Sequence, residues 1–178
     1  MKKIIAFAGS NSSTSINHAL VSHVASTIEN CEVTILRLTD YPLPMYGKDI
    51  QDNDGFPDAL LSLLAVIKKA DGVLISVNEH NGSISAFFKN VIDWLSVVDS
   101  SYLSSAKVLL FSTSEGARGG QTALGYLTDF YTRKKVEVID SIAFASFSDN
   151  FDVKQGKITN LEQAKKIQQA VALLIASL

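Results

Sequence analysis

A chain of 178 residues, 47% hydrophobic and 19% charged, is long enough to bury a core of its own and reads as one domain over residues 1–178. Its formal net charge of -2 excludes the broad basic surface that holds nucleic acid or an anionic membrane, so a bound phosphate has to be gripped locally. A lone Cys31 excludes an intramolecular disulfide, and with three scattered histidines it leaves no metal-ligand spacing.

In chain order, the first predicted element is a strand over Lys3–Ala8. The apolar run at this end is about six residues, too short for the core of a signal peptide. No stretch approaches the ~18 apolar residues of a membrane span, so a soluble cytoplasmic protein is expected. The loop "GSNSSTSIN" (Gly9–Asn17) follows. It offers a glycine for close approach, then hydroxyls and amides leading into a predicted helix over Ile16–Glu29, whose free N–H groups and dipole favour an anion. The same letters also fit a plain polar turn with Ser15 as the helix N-cap. The loop is neither GxxxxGK[ST] nor GxGxxG and has no lysine, which disfavours a nucleoside triphosphate with magnesium.

A strand over Glu32–Leu38 and a helix over Pro57–Lys69 come next, then a nearly all-apolar strand over Gly72–Val77. That strand runs into "NEHNGS" (Asn78–Ser83), where Gly82 allows close approach to a flat ligand and Ser83 is expected to cap the next helix. The helix is predicted over Ile84–Val97, with an apolar stripe of Ile84, Phe87, Phe88, Val91, Ile92 and Leu95. Trp94 falls at the edge of the stripe, and Lys89, Asn90, Asp93 and Ser96 fall opposite it. After a strand over Lys107–Thr113 comes "STSEGARGGQTA", whose Gly116, Gly119 and Gly120 imply unusual backbone angles or contact with a ligand. A helix over Gln121–Arg133, a strand over Val136–Phe144, a polar and seemingly peripheral stretch at Ser148–Thr159, and a helix over Asn160–Ser177 opened by the capping pattern "TNLE" complete the chain.

Five strands that each lead to a helix, several of them continuously apolar, predict an α/β fold with a parallel sheet covered on both faces. The flavodoxin-like doubly wound order 2-1-3-4-5 is the natural solution. In such a sheet ligands bind beyond the carboxyl ends of the strands, where the order reverses, which is where the loops after strands 1, 3 and 4 fall.

On these motifs the chain resembles the NADPH-dependent FMN reductases of flavodoxin-like fold, with their quinone, azo-dye, nitro and chromate reductase relatives. The first loop is similar to the family's G-S-x-R-x-x-S-x-N phosphate loop at Gly9, Ser10, Ser15 and Asn17, with Ser12 in the arginine position. The second resembles P-E-Y-N-x-S-x-P-x-x-L-K-N-x-I-D-W at Glu79, Asn81, Ser83, Lys89, Asn90, Ile92, Asp93 and Trp94. Asn78 and Ser85 stand for the prolines, His80 for the tyrosine and Phe88 for the leucine. Pro42, Pro44 and Tyr46 look like the family's loop after strand 2, with Met45 and Tyr46 as substrate-side contacts.

What the resemblance implies is an FMN site built from Gly9, Ser10, Asn11, Ser12, Ser15, Ile16 and Asn17, from Asn78, Glu79, His80, Asn81, Gly82 and Ser83, and from Ser112, Glu115, Gly116, Gly119 and Gly120. It further implies NADPH or NADH as electron donor, a small-molecule electron acceptor, a homodimer or homotetramer, and no catalytic acid, base or nucleophile. The alternatives are a flavodoxin-type electron carrier, disfavoured by the near-neutral charge, or a non-catalytic flavin-binding relative.

Overall fold

The computed structural model describes residues 1–178. Five strands form one parallel sheet: β1 (Lys3–Ala8), β2 (Glu32–Leu36), β3 (Gly72–Val77), β6 (Lys107–Thr113) and β7 (Glu137–Phe144). Their spatial order is β2-β1-β3-β6-β7, which is 2-1-3-4-5 when the long strands alone are counted. Two two-residue ribbons stand apart from the sheet, β4 (Glu79–His80) with β5 (Ser83–Ile84), and β8 (Phe151–Asp152) with β9 (Lys157–Ile158).

The helices are α1 (Ile16–Ser26), α2 (Lys48–Asp54), α3 (Asp58–Ile67), α4 (Ala86–Val98), α5 (Gln121–Arg133), α6 (Phe147–Asn150) and α7 (Leu161–Ser177). Strand side chains alternate between the two faces of the sheet and so define two cores. Ile5, Phe7, Val73, Ile75, Val108 and Leu110 meet α3, α4 and α5, whereas Ile4, Ala6, Leu74, Leu109 and Phe111 meet α1 and α7. With no face left for water, β1, β3 and β6 need apolar residues at nearly every position, hence their unbroken runs. No helix is long and apolar enough to cross a membrane.

Several local expectations are corrected. Helix α4 starts two residues later than the periodicity suggests. Its N-cap is Ser85, whose Oγ accepts from Phe88 N at 3.1 Å and donates to the Gly9 carbonyl at 2.8 Å, while Ser83 is exposed in the ribbon. At α7 the cap is Asn160, accepting from Glu162 N and Gln163 N, and the Glu162 side chain pairs with Lys166 instead of reaching back. Trp94 and Asn90 lie inside rather than at an edge or opposite it. Both donate to the carbonyl of Pro44, at 2.8 and 2.9 Å, and Asn90 Oδ1 accepts from Tyr46 N, so the loop after β2 is pinned onto α4. The stretch Ser148–Thr159 is mostly exposed, as expected, but it is anchored by Phe151, which stacks on the preceding Phe147 at 4.7 Å between centroids within the second core and closes it beyond Phe144. Lys89 and Asp93, opposite the stripe, form an ion pair one helical turn apart.

Candidate active site

The three predicted loops converge at the carboxyl ends of β1, β3 and β6, and a hollow of about 280 Å³ opens between them. Ser10, Ser12, Thr14, Ser15, Ile16 and Asn17 line one side, Asn78, Glu79 and His80 a second, and Thr113, Ser114 and Glu115 a third. The location follows from topology: β1 and β3 are neighbours whose crossovers leave toward opposite faces, so their following loops diverge and leave a crevice.

The loops are held by hydrogen bonds to one another. Asn17 is buried at the start of α1, where its Oδ1 accepts from Ser76 Oγ at 2.8 Å and from Thr113 N at 3.0 Å, and its Nδ2 donates to Thr113 O at 3.0 Å. Its amide therefore ties α1 to β3 and β6, with the second Nδ2 hydrogen left over. Glu79 reaches over to α5, accepting from Thr122 N at 2.9 Å and Ala123 N at 3.0 Å. The reason is local: α5 opens at Gly120 in a left-handed conformation (φ 75°), and a glycine has no side chain to cap with. The acidic group at the positive end of the helix dipole takes that place. Ser112 is also spent internally, donating to the Gly119 carbonyl at 2.7 Å, and Glu115 accepts from Ser148 N.

The glycines have structural duties as well. A Cβ on Gly9 would stand 2.5 Å from Phe88 Cγ, so Gly9 lets α4 pack onto the end of β1. Asn81 (φ 51°) and Gly82 (φ 74°) are consecutive left-handed residues in a two-residue hairpin turn joining β4 to β5, the backbone that Asn-Gly suits best. Gly119 (φ 58°) would press a Cβ within 2.7 Å of the Phe144 backbone, while Gly116 is exposed with only a distant contact to Ser114 Oγ.

Several groups remain free to act on a ligand. The side chains of Ser10, Asn11, Ser12, Ser13 and Thr14 face outward around the α1 N-terminus, engaged only within the loop, as in Thr14 N to Ser12 Oγ at 3.3 Å. Ser15 caps α1 by accepting from His18 N. Ile16 is half-buried beside it. On the opposite wall His80 is exposed at the hairpin, its Nε2 3.1 Å from Asn78 Nδ2. Asn78 itself is only 7% exposed, and its Oδ1 is a buried acceptor without a donor. A desolvated carbonyl oxygen of this kind costs about 1–3 kcal/mol unless something supplies an N–H or O–H.

That orphan acceptor at one wall, with a hydroxyl-rich anion cradle opposite, fits a flavin mononucleotide. The phosphate matches the Ser10–Thr14 hydroxyls and the α1 N-terminus. The isoalloxazine N–H and ribityl hydroxyls are donors of the kind Asn78 Oδ1 lacks. Met45 and Tyr46 do not border the hollow; Tyr46 stacks edge-on against Trp94 and donates to Gln51, and Met45 is exposed elsewhere. Sequence reasoning missed Thr113 and Ser114 as lining groups, and Arg37, which borders an adjoining hollow beside Ser10–Ser13 and His18.

A doubly wound parallel sheet with its crevice at the strand-order reversal, an anion cradle on the first helix and two further loops facing it defines a flavodoxin-like α/β protein. Comparison sharpens this. The chain belongs to the NADPH-dependent FMN reductase family, whose model matches residues 2–150. It is 40% identical to a quinone reductase of Escherichia coli over 78 residues, which covers 44% of this chain and 42% of that one, less than half of either. Over nearly its full length, 97% of this chain and 92% of the other, it is 27% identical to an NAD(P)H-dependent FMN reductase of Pseudomonas aeruginosa. Among solved structures, the flavoenzyme NAD(P)H:(acceptor) oxidoreductase of Paracoccus denitrificans superposes with a TM-score of 0.78 at 25% identity, covering 98% of this chain and 96% of that one.

Proposed function

We propose that this chain acts, as a single domain, as an FMN-dependent NAD(P)H oxidoreductase that delivers electrons to a small flat acceptor of the quinone, azo, nitro or flavin class. The observation that carries the reading is the crevice at the switch point, with its hydroxyl cradle on one side and the unpartnered Asn78 Oδ1 on the other. Family membership supports it.

FMN held there would supply the redox chemistry of hydride acceptance from NAD(P)H and electron donation to the acceptor. The chain's own part is to bind and orient. Ser10, Ser12 and Thr14, with the α1 N-terminus, would hold the phosphate, and Asn78 and His80 would meet the flavin from the opposite wall. Glu79, Asn17, Ser112 and Gly119 fix the three loops relative to one another. The two carboxylates that line the hollow, Glu79 and Glu115, each use one oxygen to accept from backbone N–H groups elsewhere. The family resemblance extends to a homodimer or homotetramer. Trp94, wholly buried under Pro44, contributes nothing to a subunit face.

The test is sequential. Protein held in excess FMN and then desalted is expected to retain flavin, and retention of none would defeat every flavin reading. Yellow protein kept anaerobic is then expected to bleach with NADPH or NADH. Bleaching by dithionite but by neither nucleotide would favour the electron carrier over the reductase.

A further inference from the structure

The hydroxyl cradle has no cation on its own loop: Gly9–Asn17 contains neither lysine nor arginine. A second hollow, of about 490 Å³, lies against the other side of the same loop. Ser10, Asn11, Ser12 and Ser13 face it from the loop, and Arg37 and His18 face it from β2's end and from α1. Ser10 and Ser12 line both hollows, so an anion resting on their hydroxyls borders the Arg37 side as well.

Arg37 is the first residue past β2, on the same carboxyl edge of the sheet as the crevice. Each of the seven ion pairs in the chain uses a lysine, and the Arg37 guanidinium makes neither an ion pair nor a hydrogen bond. No carboxylate lines its hollow. His18 titrates below its ordinary range, through burial first and the nearby Arg37 second, so near pH 7 the guanidinium is the cation of this wall. An unpaired guanidinium facing a row of hydroxyls with no acid in between matches the fork geometry and charge of a phosphate monoester.

We infer that Arg37 is a phosphate-binding residue, supplying from the end of β2 the positive charge that the Gly9–Asn17 loop lacks. This rests on the flavin-binding reading above. Two phosphate monoesters are available to such an enzyme, the 5′-phosphate of FMN and the 2′-phosphate of NADPH, and the shared chemistry is a dianion laid against Ser10–Ser13. The sharing of Ser10 and Ser12 between the hollows makes the FMN phosphate the expected one.

The experiment compares wild type, Arg37→Lys and Arg37→Gln by titration with FMN, with riboflavin, and with 2′,5′-ADP against 5′-ADP. Arg37→Gln is expected to weaken FMN about tenfold, riboflavin not at all, with Arg37→Lys recovering part of the loss. Unchanged FMN binding with an about tenfold loss confined to 2′,5′-ADP assigns the same residue to the NADPH phosphate. Equal affinities for both phosphate ligands across wild type and Arg37→Gln overturn the proposal. Because Arg37 is exposed, matching circular dichroism melts are expected for all three proteins. A wild type that binds no FMN sinks the flavin reading separately, and the 2′,5′-ADP comparison then decides the role of Arg37 alone, absence of any difference again overturning it.

Discussion

Asn78 brings opposing demands to a single side chain. Its Oδ1 is desolvated and unpaired, while its Nδ2 lies against His80. Asn78→Leu, similar in size but without the amide, is expected to stabilise the flavin-free protein by about 1 kcal/mol and to weaken FMN binding, a split that urea unfolding and flavin titration detect separately. A loss of stability with unchanged affinity would show the amide to be ordinary core packing. His18 and His23 make a second residue-scale prediction. Burial lowers both below the unfolded value of 6.5, so the unfolded chain takes up protons first. Stability is complete above about pH 6.5 and falls as the pH drops through that value toward the folded pKa values. Melting temperatures between pH 7.5 and 5.5 are expected to decline, and less steeply in His18→Gln/His23→Gln. At this scale the sequence is a partial guide. The clamp made by Asn17 goes unread because its partners, Ser76 and Thr113, lie 59 and 96 residues away, beyond the reach of local pattern. Arg37 goes unnoticed because the apolar run around it extends the predicted strand to Leu38, whereas β2 ends at Leu36.

Among the elements, the helices and strands that face a core are legible to within two or three residues, because packing enforces their periodicity. Helix α5 is read to its ends, Gln121–Arg133. What is not legible is structure justified only by a neighbour. Helix α2 buries none of its residues, so no apolar stripe announces it. The β4–β5 hairpin is carried by Asn81-Gly82, a turn signal that reads equally well as loop flexibility until its backbone angles are known. Glu79 is the element-scale test. Glu79→Ala removes the acceptor for Thr122 N and Ala123 N and is expected to cost about 1–2 kcal/mol, with Glu79→Gln restoring roughly half. Urea unfolding is expected to show a lower midpoint at an unchanged slope. An unchanged midpoint in Glu79→Ala would mean that water replaces the carboxylate without penalty.

For the molecule as a whole, the order 2-1-3-4-5 is legible because three unbroken apolar strands leave few topologies open, and the order in turn locates the crevice. The fold therefore points to the site more surely than any one motif does. Binding there should be visible globally: FMN at about a hundred times its Kd is expected to add about 2.7 kcal/mol and raise the melting temperature by roughly 5–10 °C. Riboflavin at the same concentration is expected to do less, since it leaves the hydroxyl cradle empty, and an equal shift would take the phosphate out of the binding energy.

The Asn17 amide also bears on the order in which the molecule is made. It joins residue 17 to residues 76 and 113, contacts of long loop closure that form only after two crossovers have been laid down for the first and three for the second. A growing chain thus carries its complete Gly9–Asn17 motif from the outset, yet this clamp cannot close until β6 has emerged and paired with β3. Cofactor loading becomes a late event in biogenesis, and flavin uptake a reporter that the centre of the sheet has closed.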